Sequence, residues 1–215
     1  MLPEADTEVA PPCGLLVDWG GVLTTNVFES FAAFCVREGL AADAVMTAFR
    51  TDPAAHELLV GLEEGTLPEV EFAKRFASLL GVAPDDLIER LMTDSRADAA
   101  MIAAVRRARH HGIVTGLISN SWGVDRYSPD ALRELFDGVV ISGSVGVRKP
   151  APAIYEMGAA AIQLPPAECV YVDDLPGNLK PARVLGMTTV HHTDTATTIA
   201  ELSRIFGVDL SVDLD

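Results

Sequence analysis

Short apolar runs recur along the chain, and each of them ends in polar or glycine-rich residues. Runs over residues 15–17, 113–118, 139–141 and 169–172 predict buried β-strands. In an open α/β sheet, ligands bind in a crevice at the carboxyl ends of such strands. The pattern therefore predicts an α/β fold in which a Rossmann-like parallel sheet is flanked by helices.

The segment between the first two apolar runs is far longer than a single crossover helix needs. Apolar residues at helical spacing predict helices over residues 28–38, 42–51, 69–80 and 84–94. The residues that break these helices apart are Gly39, Pro53, Gly65 and Gly81. A further helix over residues 98–111 is expected to return to the sheet, and Glu63 and Glu64 are expected in a turn with Gly65.

These elements divide the chain into three parts. Residues 28–95 form a small helical domain inserted after the first strand, while residues 13–27 and 96–215 form the α/β core domain. Residues 1–12 are acidic and rich in proline, which predicts a disordered N-terminal arm rather than a signal peptide.

Chemically reactive residues follow each of the four apolar runs. They are Asp18 after the first, Ser119 and Asn120 after the second, Lys149 after the third, and Asp173 and Asp174 after the fourth. Two adjacent carboxylates at the end of a buried strand repel each other and lose hydration, so they need a cation or hydrogen-bond donors. Oxygen ligands without histidine or cysteine nearby indicate Mg²⁺ rather than Zn²⁺. A nucleophile, positive charges and hydrogen-bond donors are what phosphoryl transfer requires.

This ordered set of residues resembles the four motifs of the haloacid dehalogenase-like (HAD) superfamily, subfamily IA. Residues 172–187 are similar to the phosphatase domains of the soluble epoxide hydrolase type and to glucose-1-phosphatase-type members. The resemblance implies that Asp18 is a nucleophile which forms an aspartyl-phosphate, and that Ser119, Asn120 and Lys149 hold the phosphoryl group. It also implies that the helical insertion is a cap that selects the substrate.

The resemblance further implies a Mg²⁺ site. Its ligands are Asp18, the main-chain oxygen of Gly20, and Asp174, with Asp173 either a ligand or a support for the site. Two interpretations of Asn178 remain open, namely support of the loop after Asp174 and an ordinary turn or helix cap. Trp122 is expected either to line the pocket or to pack where the cap joins the core.

One position departs from the pattern of HAD phosphatases. These enzymes usually carry a second aspartate two residues after the nucleophile, where it acts as general acid and base, and this chain has Gly20 there. General acid–base help is worth roughly 10²–10⁴ in rate. Either the substrate has a good leaving group, as a sugar 1-phosphate or acyl phosphate does, or the cap supplies a substitute acid. His56 and Glu63 are the candidates for that acid, although an exposed surface role is favoured for both.

A third interpretation is a catalytically impaired pseudoenzyme that binds phosphate ligands or acts in regulation. Two other activities of the same fold are less favoured. Haloacid dehalogenases use no metal and have little use for the pair Asp173 and Asp174. Phosphonate hydrolysis needs a cap lysine for a Schiff base, and Lys74, the cap lysine, lies within an amphipathic helical pattern.

Composition narrows the partners. The formal net charge of −15 argues against binding to nucleic acid or to anionic membranes. We therefore expect a small-molecule phosphate substrate, drawn in by Mg²⁺, Lys149 and Arg148, and a monomer or homodimer. Three cysteines in apolar sequence surroundings, Cys13, Cys35 and Cys169, favour reduced thiols and a cytoplasmic location.

Overall fold

A five-stranded parallel sheet forms the centre of the computed structural model, which describes residues 12–123 and 127–211. The strands are β1 (Gly14–Val17), β2 (Val114–Ser119), β3 (Gly138–Ile141), β4 (Cys169–Asp173) and β5 (Thr188–His191). Their order in the sheet is β3-β2-β1-β4-β5, with every neighbouring pair parallel. The predicted Rossmann-like α/β architecture is confirmed.

The strand order creates a crevice beside β1. The chain first winds outward from β1 through β2 to β3, and then returns to the other side of β1 to add β4 and β5. The winding direction therefore reverses between β1 and β4. At such a reversal, the connections leave the strand ends in opposite directions and open a ligand crevice outside their carboxyl ends.

Helices cover both faces of the sheet. Five helices, α1 to α5, belong to the insertion and are described below. The helices that follow them are α6 (Ala99–His110), α7 (Pro129–Leu135), α8 (Ser142–Val145), α9 (Pro152–Ala161), α10 (Pro176–Val184) and α11 (Thr195–Phe206). Successive side chains of β1 point to opposite faces. Leu15 and Val17 belong to the apolar cluster that includes α6 and α11, whereas Leu16 packs with the cluster of α9 and α10.

Five of the six helices between β1 and β2 form the insertion. They are α1 (Val27–Arg37), α2 (Ala44–Thr51), α3 (Pro53–Glu63), α4 (Glu69–Leu80) and α5 (Leu87–Met92). They pack around an apolar cluster of their own, in which the rings of Phe49 and Phe76 stack with their centroids 4.6 Å apart. The helices of the insertion, hereafter the cap, are therefore held together by aromatic packing separate from the sheet.

The sequence pattern missed one of these helices. The pattern predicts a break at Pro53, yet Pro53 is the first residue of α3, where a missing N–H costs nothing and the fixed φ suits a helix. The carboxylate of Asp52 caps this helix by accepting hydrogen bonds from the backbone N–H groups of Ala54 and Ala55. The helix expected over 84–94 is shorter, Leu87–Met92.

Two further expectations need correction. Glu63 is the last residue of α3 rather than part of the following turn, and it is 6% exposed rather than on the surface. Cys35 and Cys169 are buried free thiols as expected, whereas Cys13 is exposed. Residues 1–11 of the predicted arm lie outside the described residues. Within the described ranges, every helix falls short of the length and apolarity that a membrane span requires.

Candidate active site

Three carboxylates meet at the crevice between β1 and β4. The backbone N–H of Asp18 donates to the carbonyl of Val172 at 3.0 Å, so Asp18 continues the pairing of β1 with β4 to the edge of the sheet. Asp173 ends β4, and Asp174 follows it. One carboxylate oxygen from each of Asp18, Asp173 and Asp174 lies within 4.8 Å of the others. This cluster is a candidate cation site.

Gly21 allows the loop after β1 to approach Asp174 closely. Its φ of +76° is in the left-handed region, and a Cβ atom there would lie 2.4 Å from Oδ2 of Asp174. Any residue other than glycine would therefore push the acidic loop away from Asp18. Gly21 thus has a steric role in bringing the two loops together.

Lys149 is the counter-ion of two of these carboxylates. Its Nζ atom lies 2.7 Å from Oδ1 of Asp18 and 2.8 Å from Oδ2 of Asp173, and its side chain is 2% exposed. Burial lowers the pKa of Lys149, but the attraction of Asp18 and Asp173 outweighs burial, so its pKa is raised overall. The ammonium group is therefore charged at neutral pH and is fixed by two salt bridges.

Asp173 is surrounded by protein donors. In addition to Lys149, its carboxylate accepts hydrogen bonds from the Tyr171 hydroxyl, from the backbone N–H of Leu175 at 2.8 Å and from Nδ2 of Asn178 at 3.0 and 3.1 Å. Asp173 is fully buried, whereas Asp174 is half-buried and lines the cavity. Asn178 supports the acidic loop through Asp173, in keeping with the first of its two interpretations.

The carboxylates that face the cavity carry more negative charge than the protein compensates. Burial raises the pKa of Asp18 to about 7, with Asp173 and Asp174 adding to the effect and Lys149 opposing it. Burial, followed by repulsion from Asp173, raises the pKa of Asp174 to about 6. Lys149 forms salt bridges to two of the three clustered carboxylates, Asp18 and Asp173. A divalent cation with oxygen ligands fits this donor set.

Ser119 and Asn120 lie at the end of β2, beside Lys149. The Asn120 side-chain amide makes two hydrogen bonds to the backbone of Lys149. Its Oδ1 accepts from the Lys149 N–H at 2.8 Å, and its Nδ2 donates to the Lys149 carbonyl at 3.2 Å. Nδ2 also donates to Oε2 of Glu63 at 3.1 Å. Both Ser119 and Asn120 line the cavity. The Asn120 side chain therefore positions Lys149, which the sequence pattern did not indicate.

Two tyrosines at the site were missed by the sequence pattern. The hydroxyl of Tyr127 lies 2.8 Å from Oγ of Ser119, and its ring packs edge-on against Trp19 with centroids 5.3 Å apart. Tyr127 belongs to an irregular segment with no periodicity that points to the site. Tyr171 offered a usable signal, because it precedes Asp173 by two residues and so shares its face of β4.

Glu63 joins the cap to the core. Its carboxylate accepts hydrogen bonds from Arg148 and Asn120, and its carbonyl oxygen accepts one from the hydroxyl of Ser142. Burial raises the pKa of Glu63, although the Arg148 guanidinium opposes this shift. The surface role favoured for Glu63 is therefore wrong, whereas His56 is exposed as expected.

The carboxylates of Asp18 and Asp174 open into a cavity of about 630 Å³ between the core and the cap. Asp18, Ser119, Lys149 and Asp174 form part of its core side. Trp122 lines the same cavity and also packs against the cap, with its ring centroid 5.2 Å from that of Phe31. Both interpretations of Trp122 therefore hold. The cavity is in the range of roughly 300–1,000 Å³ that is usual for small-molecule sites.

A family model described as haloacid dehalogenase-like hydrolase matches residues 14–186. The chain belongs to this family. The predicted membership is confirmed by a match that extends from the first strand to the residues after α10.

Relatives of this HAD-like hydrolase include two curated proteins. The sesquiterpene phosphatase astK of Aspergillus oryzae is 27% identical over 95% of this chain and 89% of its own length. The bifunctional epoxide hydrolase 2 of Rattus norvegicus is 31% identical over 57% of this chain. That match covers 23% of the rat protein, so the chain spans about a quarter of its length.

Solved structures share the fold. A HAD family enzyme of Bacteroides thetaiotaomicron, crystallised with magnesium and inorganic phosphate, has a TM-score of 0.63 and 20% identity to this HAD-like hydrolase. The match covers 84% of this chain and 93% of the Bacteroides chain. This likeness supports the same arrangement of the sheet and its flanking helices.

Proposed function

We propose that this HAD-like hydrolase is a Mg²⁺-dependent phosphohydrolase which acts on phosphate monoesters through an aspartyl-phosphate on Asp18. The observation that carries the proposal is the convergence of Asp18, Lys149 and Asp174 at one end of the cavity. A relative named as a phosphatase along nearly the whole chain, and a structural neighbour crystallised with magnesium and phosphate, support it.

The residues that would hold the cation are Asp18, Asp174 and the main-chain oxygen of Gly20, all of which line the cavity. Asp173 is assigned a supporting role, because Lys149 and three other protein groups already use its two oxygens. Mg²⁺ held by these residues would supply positive charge that stabilises the phosphoryl oxygens.

The side chains then divide the chemistry. A carboxylate oxygen of Asp18 attacks phosphorus, the bond from phosphorus to the ester oxygen breaks, and the alkoxide leaves with the bonding electrons. Lys149 and Ser119 hold the phosphoryl oxygens while charge builds on them. Water afterwards hydrolyses the aspartyl-phosphate, which releases inorganic phosphate and restores the carboxylate, while the alkoxide takes up a proton from water and becomes the alcohol.

Removal of divalent cations with EDTA is expected to abolish hydrolysis of p-nitrophenyl phosphate, and excess Mg²⁺ is expected to restore it.

Mg²⁺ at 100 times its dissociation constant stabilises a protein by about 2.7 kcal/mol. Its effect on the melting temperature is expected to be larger at pH 8 than at pH 5. The reason is that Asp18 and Asp174, with pKa values raised to about 7 and 6, must lose their protons to bind a cation.

The metal-free protein is expected to respond to pH in the opposite sense. The folded-state pKa values of Asp18 and Asp174 lie above their ordinary values, so the stability that protonation provides is lost as pH rises from 5 to 8. Differential scanning fluorimetry at both pH values measures the two effects. Asp174→Asn should remove the Mg²⁺ response, while the exposed Asp130→Asn should keep it. A Mg²⁺ response equal at both pH values would contradict the assigned ligands.

Glu63 is the cap carboxylate that could donate a proton to the leaving group. It lines the cavity, but Arg148 and Asn120 already bind its Oε2 atom, so we assign it to positioning rather than to acid catalysis. Glu63→Gln is expected to lower kcat/KM by a similar factor, roughly tenfold, for phenyl phosphate and for p-nitrophenyl phosphate. It is also expected to lower the free energy of unfolding by about 2 kcal/mol, because hydrogen bonds to a charged group are lost.

Glu64→Gln provides the matched control, since Glu64 is the next residue along the chain and is half-buried. It should leave both substrates and the unfolding free energy nearly unchanged. A loss of roughly 10²-fold or more confined to phenyl phosphate, the ester with the poorer leaving group, would instead assign acid catalysis to Glu63.

A further inference from the structure

The cap side of the cavity is lined by hydrocarbon. Helices α1, α2, α3 and α5 each contribute apolar side chains to it, among them Phe28, Phe31, Phe49, Leu59 and Met92. Aromatic and aliphatic groups of this kind gain free energy when they exclude water from an apolar ligand. They offer no hydrogen bonds to a ligand hydroxyl.

Polar partners on the cap helices are scarce. Among the described lining residues that belong to these helices, Glu63 alone is polar, and its carboxylate already accepts hydrogen bonds from Arg148 and Asn120. Other polar lining residues, Thr24, Ser95 and Arg96, belong to the two connections between cap and core. A sugar placed here would bring hydroxyls that lose their water, and each one left unpaired lowers affinity by roughly tenfold.

The apolar wall begins next to the phosphate-binding residues. Trp122 lies two residues after Asn120, in the loop that follows β2. Its ring contacts rings of the cap, with centroid distances of 5.2 Å to Phe31 and 6.0 Å to Phe49. One continuous cavity therefore has an ionic end at Asp18 and a hydrocarbon end in the cap. A ligand that fills both ends must itself have both characters.

We propose that the site accepts monophosphates whose organic part is largely hydrocarbon, and that it discriminates against sugar phosphates. The inference rests on the proposed function for the position of the phosphate. It points to a lipid-like substrate instead of the sugar 1-phosphate or acyl phosphate that Gly20 left open as one alternative. The cap then selects substrates by burial of apolar surface rather than by hydrogen bonding.

Unreactive n-alkylphosphonates test this inference without depending on the leaving group. Their inhibition constants against p-nitrophenyl phosphate hydrolysis are expected to fall about fourfold per added methylene, which corresponds to ~0.8 kcal/mol per buried CH₂, until the chain fills the cavity. Glucose 1-phosphate should inhibit far more weakly than hexylphosphonate. Inhibition that is independent of chain length, or stronger for the sugar phosphate, would overturn the inference while leaving the phosphohydrolase proposal intact.

Isothermal titration calorimetry of the same phosphonates, in the presence of Mg²⁺, measures their dissociation constants whether or not the protein hydrolyses phosphate esters. If no phosphate ester is hydrolysed, a fourfold gain in affinity per methylene still supports the hydrocarbon site. A flat affinity series contradicts it.

Substitution of two cap leucines, Leu59 and Leu80, tests whether the phosphonate chain contacts the apolar lining of the cavity. Leu59 lines the cavity, while Leu80, at the end of α4, packs against the same apolar cluster but lies outside the described cavity lining. Both are half-buried. Leu59→Gln is expected to weaken octylphosphonate binding about tenfold, and Leu80→Gln is expected to leave it unchanged. Equal losses in both variants would mean that chain-length dependence arises from cap stability and not from contact with the ligand.

Discussion

Asp18→Asn is expected to lower kcat for p-nitrophenyl phosphate by a factor on the order of 10⁴ to 10⁶, as removal of a nucleophile does in other covalent mechanisms. An amide cannot form the acyl phosphate, and it is a poorer ligand for Mg²⁺. The change keeps the shape of the side chain and removes one of the two salt bridges of Lys149. Initial rates at saturating substrate and Mg²⁺ measure the loss.

The companion experiment looks for the covalent intermediate. The wild-type protein, quenched in acid during turnover of a ³²P-labelled ester, should retain label that hydroxylamine releases, whereas Asp18→Asn should retain none. Asp43→Asn, at an exposed position of the cap, serves as the control and should label as the wild type does. Residual turnover in Asp18→Asn within tenfold of the wild type would refute the assignment of the nucleophile.

Lys149→Met is expected to lower the free energy of unfolding by about 3–5 kcal/mol, the usual cost of leaving a buried charge without its partner. Methionine fills a similar volume, so the effect reports the charge rather than a cavity. Lys149 lies within 2.8 Å of carboxylate oxygens of both Asp18 and Asp173, and all three side chains are buried. Urea denaturation at pH 8 in EDTA measures the change.

Two comparisons separate this effect from a general loss of packing. Lys74→Met, at an exposed position of α4, should change stability by less than about 0.5 kcal/mol. The deficit of Lys149→Met should shrink as pH falls from 8 to 5, because protonation then neutralises the Asp18 carboxylate, whose pKa is already raised to about 7 in the wild type. A deficit that does not vary with pH would indicate lost packing instead of unpaired charge.

Gly20, at the position of the usual general acid, is also compatible with a protein that binds phosphate ligands without hydrolysing them. If Mg²⁺ and alkylphosphonates bind but no ester is hydrolysed, the site serves as a phosphate-binding or regulatory module, and the glycine at the general-acid position accounts for the missing turnover. If turnover is found and requires Mg²⁺, the leaving-group comparison with Glu63→Gln shows how the enzyme works without that acid. Turnover of a haloacid without metal would point to the dehalogenases.

The four strand ends were readable from the chain because each is a local pattern. An apolar run followed by a polar residue and a turn specifies a strand and places its last side chain at the carboxyl edge of the sheet. Asp18, Ser119 and the pair Asp173–Asp174 lie at strand ends in this way, whereas Lys149 lies beyond α8, the short helix that follows β3. The sequence by itself determined the fold family and the reactive groups available to it.

Only the tertiary structure decided how those groups are used. Asp173 and Asp174 are adjacent and chemically identical, yet packing buries one among protein donors and leaves the other at the cavity. Glu63 links the cap to the core because α3 begins at Pro53 and ends at Glu63, where Arg148 and Ser142, far away in the chain, bind it. The apolar lining of the cavity likewise combines side chains of four separate helices with Trp122 of the core. Burial, pairing and cavity shape depend on such long-range contacts, and local sequence patterns do not encode them.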